Sequence, residues 1–135
     1  MADAKQIVQD FCDRMVKRDG ESMRSFLADD AVYQNAGMPA AEGIDEVIAN
    51  LAGQFAMFAD SYEYKTIACV DEGNVVMNER LDCVRGPSGA VHELPVMGTF
   101  VVENGKIRRW TDYWDSALMG KMMAGEDTSE LVPKY

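Results

Sequence analysis

The chain is poor in the residues on which metal, thiol and imidazole chemistry depend. It has one histidine, His92, and three cysteines, Cys12, Cys69 and Cys83, among 135 residues. An odd cysteine count without a C-x-x-C pair suggests neither a disulfide framework nor a zinc site, and buried free thiols are expected. His92, with Leu94 and Val96 at alternating positions, reads as a strand residue, and nothing near it supports a Ser-His-Asp or Cys-His mechanism. No metal and no other cofactor is expected. Basic charge is also scarce: 13 Lys and Arg stand against 23 Asp and Glu, a net charge of −10. Scattered acids of that excess repel phosphate backbones and anionic lipid, which argues against nucleic acid and membrane surfaces as partners. No run approaches the ~20 apolar residues needed to cross a bilayer. The opening Met1-Ala2-Asp3-Ala4-Lys5 lacks the basic region and apolar stretch of an export signal, so a soluble, cytoplasmic protein is expected.

What is present is periodic apolar sequence, enough for one domain over residues 1–135 with a core and a small-molecule pocket. Ile7, Val8, Phe11, Cys12, Met15 and Val16 recur at helical spacing, and Asp19-Gly20 stops the segment. Met23, Phe26 and Leu27 predict a short second helix from Ser22, broken by Asp29-Asp30, after which residues 31–35 read as a short strand. Ile44, Val47, Ile48, Leu51, Phe55 and Phe58 predict a third helix, with Asp45-Glu46 suited to its N-terminus. From Tyr62 the period changes to two, predicting strands near 61–70, 74–84, 90–102 and 106–115, separated by Asp71-Glu72-Gly73, Gly86-Pro87-Ser88-Gly89 and Asn104-Gly105. Residues 116–135 carry Met119, Met122 and Met123 and then Leu131-Val132-Pro133, and read equally as a lid, a partner arm or a frayed tail.

Helices followed by a long meander predict an α+β fold in which a curved, mostly antiparallel sheet wraps about three N-terminal helices and leaves a cone-shaped pocket. On the strand at 74–84 one face carries Val76, Asn78, Arg80, Asp82 and Val84, and the other Val75, Met77, Glu79, Leu81 and Cys83. The second face is too apolar for solvent, and Met97, Val101, Ile107 and Tyr113 extend it on neighbouring strands. A second copy of the chain, making a homodimer, is expected to cover it.

Arg80 and Asp82, two apart, leave the same face of one strand and can share hydrogen bonds. Asp112 lies two strands away, roughly 9–10 Å across the sheet, within reach of a guanidinium only if the strand between stays clear. Gly98 supplies such a gap if both hairpin loops have three to five residues, which pairs Arg80 with Val96, Asn78 with Gly98 and Gly98 with Asp112. A two-residue Asn104-Gly105 turn would instead place Met97 opposite Asp112 and reverse the facing. Two carboxylates and one arginine in an apolar cavity carry net charge −1 when both acids are ionised. Desolvation disfavours that state, so the pair should hold one proton and offer an acid and a base together near neutrality. On spacing alone the same residues also read as a plain cross-strand ion pair. Tyr33 and Asn35, also two apart, share a face, and with a carboxylate they can fix one water from three directions.

Tyr33-Gln34-Asn35 with Met38-Pro39, Glu79-Arg80-Leu81-Asp82, Gly98-Thr99-Phe100, Gly105-Lys106-Ile107 and Trp110-Thr111-Asp112-Tyr113-Trp114-Asp115 together resemble the limonene-1,2-epoxide hydrolase family, within the NTF2-like and SnoaL-like fold. The resemblance covers nearly the whole chain, and its specificity lies in three separated patches occurring together. It implies hydrolysis of a small, apolar, cyclic epoxide to a vicinal diol in one step without a covalent intermediate. Asp112 would be the base, Tyr33 and Asn35 the holders of the attacking water, Asp82 the acid and Arg80 the bridge. It also implies that Met15, Phe58, Val84, Leu94, Val96 and Trp114 line the cavity, although each is an equally good core residue. Gln54 departs from the resemblance, which has an apolar residue there, and implies a more polar or differently shaped pocket. The fold alone would also serve an isomerase or cyclase with one Asp beside a carbonyl, or a ligand-binding module. An arginine tying two carboxylates fits paired acid and base transfer better.

Overall fold

A computed structural model describes residues 3–58 and 61–135, so that Met1 and Ala2 lie outside the described residues, as do Ala59 and Asp60. The first helix, α1 (Ala4–Arg14), starts where the Asp3 carboxylate accepts the Gln6 N–H at 2.8 Å, and buries Val8, Phe11 and Cys12. Two 3₁₀ segments follow, Met15–Lys17 and Glu21–Phe26. Next come β1 (Leu27–Asn35), β2 (Ala41–Glu42), α2 (Ile44–Met57), β3 (Tyr62–Glu72), β4 (Val75–Arg85), β5 (Val91–Glu103), β6 (Lys106–Tyr113) and α3 (Ser116–Met123). The strands form one sheet in the order β2-β1-β6-β5-β4-β3, with β1 parallel to β6 and the other pairs antiparallel. This is the α+β architecture expected, a curved sheet holding the helices in its concave face.

Aromatic packing fixes the deep end of the cone. Phe11 meets Phe26, Phe100 and Trp110 edge-on, and Trp110 stacks on Tyr33 and Phe100 with ring centroids 3.8 and 5.9 Å apart. These contacts lock β1, β5 and β6 to α1. Among the described residues no helix is long and apolar enough to cross a membrane.

Four expectations need correction. The segment from Ser22 is a 3₁₀ helix, and Asp29-Asp30 lies inside β1 instead of ending a helix. The register of β1 on β6 shifts between Leu27 and Val32, and both acids stay exposed there while Leu27 and Ala31 stay buried. The β5–β6 loop is the tight one: Glu103 pairs with Lys106, and Asn104 and Gly105 take φ of 51° and 75°, as a two-residue type I′ turn requires. The longer register nevertheless holds, with Gly98 opposite Asp112, because a bulge pairs Val101 with Arg109 but Val102 with Ile107. That bulge also turns Ile107, expected on the outer face, into the core, where it is fully buried.

Candidate active site

Strand alternation delivers the chemistry to the concave face. On β4, Asn78, Arg80 and Asp82 point inward, and on β6 Trp110 and Asp112 do the same. Between them on β5 sits Gly98, opposite both Asn78 and Asp112. A Cβ there would overlap Arg80 Nη1 and come within 2.8 Å of Asn78 Oδ1 and 2.9 Å of Asp112 Oδ1. The missing side chain is the space through which Arg80 crosses a whole strand.

Arg80 is fully buried, and all five of its N–H groups have partners. Nε donates to Asp82 Oδ1 at 3.0 Å, Nη2 to Asp82 Oδ2 at 3.0 Å and Asp112 Oδ2 at 2.9 Å, and Nη1 to Asp112 Oδ1 and Asn78 Oδ1, both at 3.1 Å. The guanidinium carbon stands 4.3 Å over the centre of the Tyr64 ring, which closes its remaining face. Beneath it, the Cys12 Sγ accepts Asn78 Nδ2 at 3.6 Å, and burial pushes the Cys12 thiol up to about 12, so the sulfur is a neutral acceptor and no nucleophile.

The two carboxylates are not equivalent. Asp112 receives three donors, because Trp110 Nε1 adds a 2.7 Å hydrogen bond to the two from Arg80. Among the described residues this leaves Oδ2 with one lone pair unengaged. Among these residues, too, Asp82 receives donors from Arg80 alone, and it is the more accessible, its side chain 14% exposed against 3% for Asp112. Burial raises the Asp82 carboxyl to about 6, against the pull of Arg80 and with a push from the Asp112 charge. At pH 7 such a group is protonated in about a tenth of molecules.

A second polar chain borders Asp112. Trp114 Nε1 donates to Asn35 Oδ1 at 2.9 Å, Asn35 Nδ2 donates to the Tyr33 oxygen at 3.1 Å, and Gln54 Nε2 donates to the same oxygen at 3.1 Å. Gln54 Oε1 accepts from Tyr62, whose hydroxyl lies 3.3 Å from that of Tyr64. Burial raises all three tyrosine hydroxyls well above their ordinary range, so they remain protonated.

These groups open into a cavity of about 460 Å³ between α2 and the sheet, within the span of small-molecule sites. Phe58, Val84, Leu94, Val96 and Trp114 lie on its wall, with Met119 reaching it from α3. Met15, expected there, is not on this wall: it is fully buried in the core, on the 3₁₀ turn after α1, which packs on β3. Asn78, Tyr64, Tyr62 and Trp110 were not singled out from the sequence. Two of them carried a signal: Asn78 is two residues from Arg80, and Trp110 two from Asp112, so both had to share the face of a known partner.

Comparison with known proteins places this geometry. The family model described as limonene-1,2-epoxide hydrolase catalytic domain matches residues 2–124. The chain is 28% identical over 112 residues to epoxide hydrolase EphG of Mycobacterium tuberculosis (strain ATCC 25618 / H37Rv), an alignment covering 80% of this chain and 70% of that protein. A solved structure of an M. tuberculosis LEH-like epoxide hydrolase superposes with a TM-score of 0.78 at 27% identity, covering 97% of this chain and 96% of that one. An NTF2-like protein of unknown function from Burkholderia pseudomallei K96243 gives a TM-score of 0.80 at 20% identity, covering 91% and 98% of the two chains. A putative SnoaL-like polyketide cyclase from Jannaschia sp. CCS1 gives 0.79 at 18% identity, covering 92% and 93%. The last two likenesses speak for the fold alone.

Proposed function

Because the chain belongs to the limonene-1,2-epoxide hydrolase family and is an epoxide hydrolase, we propose that it converts a small, largely apolar, cyclic epoxide to a vicinal diol in one concerted step. Asp112 Oδ2 takes a proton from a water held by Tyr33 and Asn35. The oxygen of that water forms a bond to one epoxide carbon as the carbon–oxygen bond of the ring breaks, and Asp82 gives its proton to the departing ring oxygen. Asp112 then carries a proton and Asp82 a negative charge, and one proton exchange with solvent restores the starting state. Arg80 holds both carboxylates throughout.

The observation that carries this reading is the division of one guanidinium between two carboxylates with different surroundings. Asp112 accepts three hydrogen bonds, from Arg80 and Trp110, whereas Asp82 is held by Arg80 and burial favours its protonated form. Such a split is how a site keeps an acid and a base ready together. An isomerase with one base beside a carbonyl has no use for the bridged second acid. The apolar wall of Val84, Leu94 and Val96 suits a hydrocarbon ring. The protein is cytoplasmic and metal-independent in this reading, and a homodimer forms through the exposed apolar face of the sheet.

A single-turnover reaction in ¹⁸O-labelled water, with enzyme in excess, tests the one-step mechanism. The diol should carry ¹⁸O from the first turnover. An unlabelled first product, with label left in a protein carboxylate, would establish a covalent ester and exclude this mechanism.

A further inference from the structure

Gln54 stands outside the acid and base set, yet its amide touches the hydroxyl assigned to the attacking water. Tyr33 offers one proton and two lone pairs. Both lone pairs are engaged: Asn35 Nδ2 and Gln54 Nε2 each donate to the Tyr33 oxygen at 3.1 Å. The orientation of Asn35 is set independently, because the indole Nε1–H of Trp114 can only donate and lies 2.9 Å from Asn35 Oδ1. Gln54 is held in turn by Tyr62, which donates to its Oε1, and by Asn50 Oδ1, which accepts its other N–H at 2.8 Å. The Tyr33 proton is left with Asn35 Oδ1, at a long 3.4 Å, or with the cavity in front of Asp112.

We propose that Gln54 is a positioning residue for hydrolysis: by filling the second acceptor site of the Tyr33 oxygen, it turns the Tyr33 proton toward the nucleophilic water. The water then donates one hydrogen to Asp112 and the other to Asn35, accepts from Tyr33, and keeps one lone pair for the epoxide carbon. Without the Gln54 N–H, the hydroxyl is free to rotate away from the water. The inference rests on the reading in which Tyr33 and Asn35 hold that water.

The test is a cycle of Gln54 variants with and without Tyr33→Phe, each checked by thermal melting. Gln54 is on a partly exposed helix face, so Gln54→Leu should fold, and Gln54→Met offers a second apolar replacement of similar length. Either change should lower kcat about tenfold, the order of one hydrogen bond, with KM within about twofold. In the Tyr33→Phe background the same changes should cost less than about twofold, because no hydroxyl remains to be aimed. Gln54→Glu adds a readout that packing would not move. When ionised, the introduced carboxylate accepts the Tyr33 proton and draws it from the water, whereas its protonated form donates as the Gln54 amide does. The ratio of Gln54→Glu to wild-type kcat should therefore rise as pH falls, and this rise should vanish in the Tyr33→Phe background. Wild-type kcat in the apolar variants, or an undiminished loss in the Tyr33→Phe background, would overturn the role of Gln54. Tyr33→Phe with normal turnover would instead sink the underlying assignment of Tyr33, and the inference with it.

Discussion

The two faces of β4 invert the usual polarity of a sheet. The inward face holds Asn78, Arg80 and, across β5, Asp112, all at most 2% exposed, while outward Met77 and its neighbours Met97 and Tyr113 remain about half exposed. Burying a charge costs several kcal/mol unless pairing and hydrogen bonds offset it, and here every guanidinium N–H has a partner. An apolar core of equal volume would fold at least as well, so the buried set is better explained by chemistry than by stability. The outward face shows the converse: apolar side chains at this exposure gain nothing for a lone molecule, and the proposed partner would account for them. Each face can be broken separately.

The largest effect is expected inside. Asp112→Asn removes the proposed base and keeps its shape, and should lower turnover by about 10²–10⁴ with the fold intact. Asp82→Asn should lose a comparable amount, and the double variant should be little worse than either, as the proposed single step requires of groups that act together. Near-normal turnover in folded Asp112→Asn protein excludes the mechanism. Gly98→Ala should come next, because its Cβ meets the guanidinium and both of the oxygens beside it. A loss of at least about tenfold in kcat, with a lowered melting temperature, is expected from displacing that bridge. Equal activity in glycine and alanine proteins would show that Arg80 needs no passage across β5.

The titration of Asp82 sharpens the contrast between the carboxylates. A general acid must hold its proton, so kcat/KM should fall about tenfold per pH unit above about 6. A flat profile from pH 6 to 8 would count against Asp82 as the acid. The same shift has a consequence for folding. Because the folded-state value is raised above the ordinary 3.8, the folded protein keeps this proton longer than the unfolded chain. Stability from this group is fully present below the ordinary value and is lost as pH rises through about 6. Melting curves across that window should show the decline in wild type and its absence in Asp82→Asn.

Much of this arrangement was legible because strands reveal their faces. Arg80 with Asp82, and Tyr33 with Asn35, are separated by two, and that spacing fixes a common face whatever the register. Register itself was harder. The pairing of Gly98 with Asp112 followed from assuming a long loop, whereas the protein reaches it through a tight turn and a bulge at Arg108. The pair Arg108-Arg109 was the available signal: two adjacent charges cannot both avoid the core in an unbroken strand, and the bulge lets both do so. Asp29-Asp30 in β1 repeats the device with the opposite charge. Met15 differs: helical periodicity marked it as buried, as it is, while its place on the cavity wall was implied by the family resemblance alone, and periodicity says nothing about which buried residues border a cavity.

The smallest expected effect on turnover, and the cleanest separation of the two faces, comes from the outside. Met97 lies opposite Tyr113 on one side and Glu79 on the other, at the centre of the exposed apolar patch. Tyr135 reaches this face, donating to Glu79 Oε2 at 2.9 Å, yet Met77, Met97 and Tyr113 remain about half exposed. Met97→Glu places a second carboxylate beside Glu79 and, in a homodimer packed through this patch, would bury charge at the interface. Desolvation and like-charge repulsion should then dissociate the pair. No side chain of the acid and base set points outward, so the resulting monomer should retain kcat within about threefold. Sedimentation at micromolar concentration, wild type against variant, reads the association, and epoxide turnover on the same samples reads the site. A wild-type monomer would refute the homodimer. A Met97→Glu monomer with kcat lowered a hundredfold would show that the faces are coupled, with the partner holding the curved sheet in the shape that lets Arg80 reach both carboxylates.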